Sequence, residues 1–154
     1  MLEKIDLNKK MSKQEYSESL PKIEAELGRL QRECKDLDIP VMIVFEGFGA
    51  SGKGLQIGKL IHSMDPRGFE VHTIKNETEE ERMHPFLWRF WIKTPEKGKI
   101  AVFDGSWYRK VWVDRFEKRT REKELKDDFA SINAFEQQLS EGGTHDLIKT
   151  VFGY

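Results

Sequence analysis

The feature that most narrows what this chain can become is Gly47-Phe48-Gly49-Ala50-Ser51-Gly52-Lys53, a G-x-x-x-x-G-K pattern set between two different neighbours. Before it, Val41 to Phe45 is a short apolar run closed by Glu46, the pattern of a strand buried on both faces of a parallel sheet. After it, Leu55, Ile57, Leu60, Ile61 and Met64 predict a helix. Strand, glycine-rich turn and helix in that order make a phosphate site. The glycines let the backbone approach an anion in dihedrals closed to other residues. The first turn of the helix supplies unpaired N–H groups and the positive end of its dipole. Lys53 adds a mobile cation for terminal phosphates, and the loop from Gly47 through Gly54 is the expected phosphate cradle. A purely structural glycine turn is the other reading of these residues, and the flanking strand and helix are what separate the two.

Position 54 is Gly, where phosphate loops of this kind usually place a Ser or Thr hydroxyl on Mg²⁺. Metal must then be held by other groups. Asp104 is the candidate, because it closes a second apolar strand, Ile100 to Phe103, about 50 residues further on. Its alternative role is to cap the helix that follows.

The remaining pattern alternates strands with helices. Ser12 and Glu15 have capping-box spacing. Beyond them Leu20, Ile23, Leu27, Leu30, Cys34 and Leu37 form one apolar stripe, expected to face the core, with Pro21 tolerable at a start or a kink. Asp65-Pro66-Arg67-Gly68 is a turn, and Phe69 to Ile74 alternates as a strand. Thr78 to Glu81 repeats the capping-box spacing and opens a helix that leads into Phe86-Leu87-Trp88-Arg89-Phe90-Trp91. Residues 114–128 are dense in charge, a solvated helix or a loop. Ile132, Phe135 and Leu139 mark a further helix closed by Gly142-Gly143, and a fourth apolar run spans Leu147 to Phe152. Such alternation predicts an α/β architecture, a mainly parallel sheet with helices on both faces. Functional loops then sit at the carboxyl ends of the strands. The expected division is an N-terminal helical segment, 1–38, packing on a core domain, 39–154.

Composition limits the partners. Across 154 residues, 26 basic side chains balance 27 acidic ones, so no global field draws nucleic acid or an anionic membrane, and any anion site must be local. The longest apolar run, Pro40 to Phe45, is far short of the ~20 residues that cross a bilayer. A single cysteine, Cys34, excludes an internal disulfide. These features, with no signal-like N-terminus, predict a cytoplasmic protein.

Several segments in one order carry a closer resemblance. They are Glu46 to Gly54, Asp65-Pro66-Arg67-Gly68-Phe69, Thr78-Glu79-Glu80-Glu81-Arg82, the 86–91 aromatic segment, and Phe103-Asp104-Gly105-Ser106-Trp107-Tyr108. Together they resemble the polyphosphate kinase 2 family, particularly its polyphosphate:AMP phosphotransferase branch, over about residues 35–150. The resemblance implies a P-loop kinase-like three-layer α/β/α fold, and transfer of a phosphoryl group between inorganic polyphosphate and a nucleotide such as AMP or ADP, with Mg²⁺. Lys53 and the loop amides would bind the transferring phosphate, and Asp104 would position metal. A polyanion also needs a cationic track, for which Lys75, Arg82, Arg89 and Lys93 are candidates, with a solvated helix face as the alternative reading. Arg82, Arg89 and Lys93 could share one helix face apart from Pro85. His84 reads as incidental, and Trp88 and Trp91 as core or as base-stacking rings.

The same resemblance defines departures. The family loop places an acidic residue where Gly49 stands, and its strand-end motif places arginine where Gly105 stands. Each removes charge near the transferring phosphate, where one preorganised group is typically worth about 3–4 kcal/mol. The family pattern also continues through another strand, an arginine-bearing lid and closing helices, so the expected fold is incomplete at its C-terminus, truncated before the lid. Two further functions follow as alternatives: a catalytically impaired binding or scaffold half of a two-domain phosphotransferase, or an ATP-dependent nucleotide kinase. Homo-oligomer formation through the open sheet edge is a further expectation.

Overall fold

In the computed structural model, which describes residues 11–48, 50–116 and 122–150, the apolar run before the glycine loop becomes the strand β1 (Val41–Glu46). It joins β2 (Phe69–Thr73), β3 (Ile100–Asp104) and β4 (His145–Thr150) in a four-stranded sheet of order β2-β3-β1-β4. Every pairing is parallel, with Val41 opposite both Ile100 and His145, and Phe69 opposite Ile100. Parallel neighbours need crossovers, and helices supply them. α2 (Lys53–His62) follows β1, while α3 (Glu79–Arg82) and α4 (Trp88–Trp91) lie between β2 and β3. α5 (Tyr108–Phe116) and α6 (Glu122–Glu141) lie between β3 and β4.

Successive residues of β1 point to opposite faces, so one strand feeds two cores. Val41 and Phe45 pack with Ile57, Met64, Ile100 and Val102 on the α2 side, where Cys34 of the N-terminal helix α1 (Lys13–Asp36) also packs. Met42 and Val44 pack with Phe90, Phe103, Trp107, Ile132, Phe135 and Leu139 on the other face. The sheet is therefore the middle layer of three, as the alternating pattern predicts. Its strand order reverses between β1 and β3, because the chain leaving β1 goes to β2 and the chain leaving β3 goes to β4. Diverging connections open a crevice beyond the carboxyl ends of those two strands.

Three expectations need correction. α1 begins with the predicted box, in which Glu15 N–H donates to Ser12 Oγ and Ser12 N–H donates to Glu15 Oε2. Its apolar stripe, however, does not face the core as a whole. Leu20, Leu27 and Cys34 are half-buried, whereas Ile23, Leu30 and Leu37 are exposed, Leu37 at 61%. The buried edge instead carries Gln31, whose side chain bonds both the N–H and the carbonyl of Asp65 at 2.7 and 2.9 Å. Pro21 lies inside this helix, not at its start.

The second correction concerns residues 78–93. The Thr78–Glu81 box forms, but α3 ends at Arg82, and α4 starts only after Pro85. Arg82, Arg89 and Lys93 therefore do not share one helix face. The third concerns the tryptophans. Arg89 and Phe90 are the buried residues of α4, while Trp91 is 38% exposed with its ring edge-on to Phe135, and half-buried Trp88 stacks on His84 at 4.0 Å. Of the charge-dense stretch 114–128, residues 117–121 lie outside the described residues, as do 151 and 152 of the last apolar run.

Candidate phosphate-binding site

The crevice at the strand-order reversal is where the G-x-x-x-x-G-K loop falls. Gly52 is the N-cap of α2 with φ 82° and ψ 17°, a left-handed conformation that glycine enters without strain. It offers no side-chain cap, and the first turn of α2 holds no acidic residue. The leading N–H groups of that helix thus keep their capacity for an anion. Lys53 folds back over the loop, its Nζ donating to the carbonyls of Gly47 at 2.7 Å and Phe48 at 3.2 Å. Ser51 contributes a buried hydroxyl with no hydrogen-bond partner. Phe48 and Ala50 are exposed, Gly54 has open space beside it, and Gly49 lies outside the described residues.

Asp104 stands at the end of β3, in register with Phe45 and hence one residue short of Glu46 along the neighbouring strand. It is half-exposed, and its carbonyl accepts the Ile74 N–H. Gly105 then turns the chain with φ 80° while its N–H donates to the Phe45 carbonyl at 2.9 Å. This tie holds the end of β3 beside the entry to the glycine loop.

Two residues absent from the sequence-based site complete this corner. Glu46 closes β1 immediately before Gly47, and Ser106 donates its hydroxyl to Glu46 Oε1. Burial pushes the Glu46 carboxyl above its usual range; the Ser106 hydrogen bonds and the Lys53 charge work against that rise, and Asp104 adds to it. A pair of carboxylates therefore sits at two adjacent strand ends, one of them raised by burial. The available signal for Glu46 was a lone carboxylate ending an apolar strand at the first loop glycine.

The expected cationic track divides. Lys75 and Arg82 are exposed, Lys75 just past the end of β2, and Arg82 donates to the Glu77 carbonyl at 3.1 Å. Arg89 is only 8% exposed, and its Nη2 donates to the Lys75 carbonyl at 3.1 Å. Its Nε lies 3.3 Å from Glu81 but off the line of a hydrogen bond. Lys93 donates to the Arg89 carbonyl at 3.0 Å, with Glu81 at 3.9 Å. Arg89 and Lys93 therefore tie α4 to α3. A basic residue that sequence reasoning passed over, Arg109, is exposed on α5 and donates to Asn76 Oδ1 at 3.0 Å, bridging the ends of β2 and β3.

A parallel sheet whose glycine loop, lysine and strand-end carboxylates meet at the switch point defines a P-loop kinase-like domain. Comparison with known proteins is specific beyond that class. The family model described as Polyphosphate kinase 2 matches residues 10–152, and the chain belongs to that family. A polyphosphate:AMP phosphotransferase of Pseudomonas syringae is 38% identical over 143 residues, covering 93% of this chain and 29% of the relative. One of Acinetobacter johnsonii is 40% identical over 124 residues, 78% of this chain and 26% of the relative. The chain thus spans under a third of the length of these curated relatives. Among solved structures, a Pseudomonas aeruginosa protein assigned to polyphosphate kinase 2 superposes with TM-score 0.91 at 36% identity, over 98% of this chain and 32% of that one. Polyphosphate kinase 2 from Arthrobacter aurescens superposes with TM-score 0.90 at 28% identity, over 98% of this chain and 56% of that one.

Proposed function

We propose that this domain binds the phosphate chain of inorganic polyphosphate at the 47–54 loop and serves phosphoryl transfer between polyphosphate and a nucleotide, AMP or ADP, in the cytoplasm. The observation that carries the reading is Lys53 lying against two neutral carbonyls of its own loop. Those contacts exchange readily for phosphate oxygens, which bind an ammonium more strongly because they are charged. The uncapped first turn of α2 and the buried Ser51 hydroxyl add donors around the same point. Relatives named polyphosphate:AMP phosphotransferase favour AMP as the acceptor.

The residues at the strand ends suit Mg²⁺. Asp104 and Glu46 offer hard oxygen donors side by side, and the raised Glu46 carboxyl is a group that a cation would relieve. Among the described residues no three His, Cys, Asp or Glu side chains converge. Mg²⁺ keeps most of its waters and takes one or two carboxylates plus substrate phosphates, so a pair suffices. When bound, the ion would neutralise charge on the transferring phosphoryl group. The chain's own part is alignment: the loop amides and Lys53 hold the phosphate, and Ser106 holds Glu46 beside Asp104. Exposed Lys75, Arg82 and Arg109 lie at hand for the rest of the polyanion. Arg89 and Lys93 lie beside Glu81, Arg89 buried and Lys93 half-buried, so they are the less accessible members of that track.

The test is calorimetric titration with inorganic tripolyphosphate in Mg²⁺ buffer, beside phosphoryl transfer from polyphosphate to AMP. Lys53→Ala should weaken binding at least tenfold and abolish transfer. Unchanged binding in that variant would sink the loop assignment. Gly105, standing where the family motif carries arginine, favours a second reading of a binding half without turnover. That reading expects tripolyphosphate to bind the wild type and AMP to remain unphosphorylated. Competition by ATP at the same site, with no effect of polyphosphate, would instead point to an ATP-dependent kinase.

A further inference from the structure

Away from the phosphate loop, one carboxylate collects two aromatic donors. Glu136, in the C-terminal half of α6, accepts the Trp107 indole N–H at 2.8 Å and the Tyr108 hydroxyl at 2.5 Å on the same oxygen, Oε1. Trp107 is 1% exposed and packs edge-on against Phe90, Phe103 and Phe135, so its indole has one orientation. These two aromatics directly follow Asp104-Gly105-Ser106, the segment that meets the glycine loop. The next bonds lead toward the site. Tyr108 N–H donates to Ser106 Oγ at 3.2 Å, and Ser106 Oγ donates to Glu46, the residue before Gly47. Gly47 in turn gives its carbonyl to Lys53.

We infer that Glu136 is a positioning residue for the phosphate site: it clamps the Trp107–Tyr108 corner so that Ser106 holds the Glu46 carboxylate at the mouth of the loop. The inference rests on the phosphate-binding reading above. Glu136 also satisfies a buried indole N–H, so that duty and the positioning of Ser106 are told apart by whether phosphate binding changes. A charged acceptor shared by two donors fixes both in direction, and the serine inherits that direction through its backbone. Loading the loop and orienting Trp107 are then linked. Phosphate at Lys53 draws on Glu46 and Ser106, and the pull reaches the indole 29 residues from its acceptor in sequence.

The experiment is titration of the full chain with inorganic tripolyphosphate in Mg²⁺ buffer. It is followed by calorimetry and by the ¹⁵N indole resonance of Trp107, assigned through Trp88→Phe, Trp91→Phe and Trp112→Phe. In the wild type the indole resonance shifts in step with calorimetric binding. Glu136→Leu weakens binding roughly fivefold or more and uncouples the resonance, while Glu136→Gln, which keeps an acceptor oxygen, stays within about twofold. Tyr108→Phe, which removes one hydroxyl from a folded corner, weakens binding less, and combined with Glu136→Leu adds little, as members of one chain do. Binding unchanged in both Glu136→Leu and Tyr108→Phe, with an immobile indole resonance in the loaded wild type, would overturn the positioning role and leave the phosphate site standing. Failure of the wild type itself to bind tripolyphosphate would overturn the functional reading and this inference with it.

Discussion

Gly105 shows how a single residue can carry two constraints at once. Its φ of 80° is left-handed, and a Cβ built there would lie 3.7 Å from the Ile74 side chain, an ordinary contact. Space for a Cβ is therefore available, and the left-handed backbone is what resists substitution at that atom. Gly105→Arg, which restores the charge of the family motif, should cost about 1–2 kcal/mol in urea unfolding while tightening tripolyphosphate binding in the same preparation. A variant that loses stability without gaining affinity would show that the arginine of the motif acts from a backbone shape this chain no longer has. The positions of Lys53 at the start of α2 and of Asp104 at the end of β3 were legible from sequence, because loop spacing and the end of an apolar strand fix them locally. Glu46 and Ser106 were not, because their contact depends on the parallel register that sets β1 beside β3, 60 residues away.

At the scale of elements, α1 illustrates what hydrophobic spacing leaves open. The alternating steps of three and four define a face more than 100° wide, but not which edge of it meets the sheet layer. The choice falls to Gln31, since the Asp65–Gly68 turn presents a backbone N–H and a carbonyl that an apolar side chain cannot satisfy. Gly68 leaves room for the amide, because a Cβ there would come within 2.5 Å of it. Gln31→Leu should therefore destabilise by about 1–3 kcal/mol by stranding the Asp65 N–H, the Asp65 carbonyl keeping the Gly68 N–H, whereas Leu30→Lys on the exposed edge should stay within about 0.5 kcal/mol. Chemical denaturation of the two variants compares them directly, and the reverse ranking would refute this account of the helix. Likewise Pro85 divides a segment whose charge spacing suggested one helix, and Glu81 then joins the pieces by pairing with Arg89.

Across the whole molecule, these pairings give the stability a direction in pH. Arg67, hydrogen-bonding its side chain and N–H to Asp65, holds that carboxyl down at about 2. The Thr78 N–H, with Arg89 and Lys93, lowers Glu81. A carboxyl depressed in the folded state stabilises above its unfolded pKa and loses that contribution as pH falls through the folded one. Thermal unfolding followed by circular dichroism should therefore show the midpoint dropping between roughly pH 5 and pH 2. Arg67→Ala should make the lower part of that drop shallower. Glu46, raised by burial, acts in the opposite sense and blunts the upper part.

The register of the central strand has a consequence in time. β1 is flanked by β3 and β4, and its partners on the β4 side begin at His145, about a hundred residues later. During synthesis both flanks of β1 wait, the second until nearly the whole described chain has emerged, so the phosphate loop cannot acquire its final shape early. A nascent chain stalled after α5 should leave residues 41–46 open to proteolysis and to chaperones, and the site should appear in a single late step.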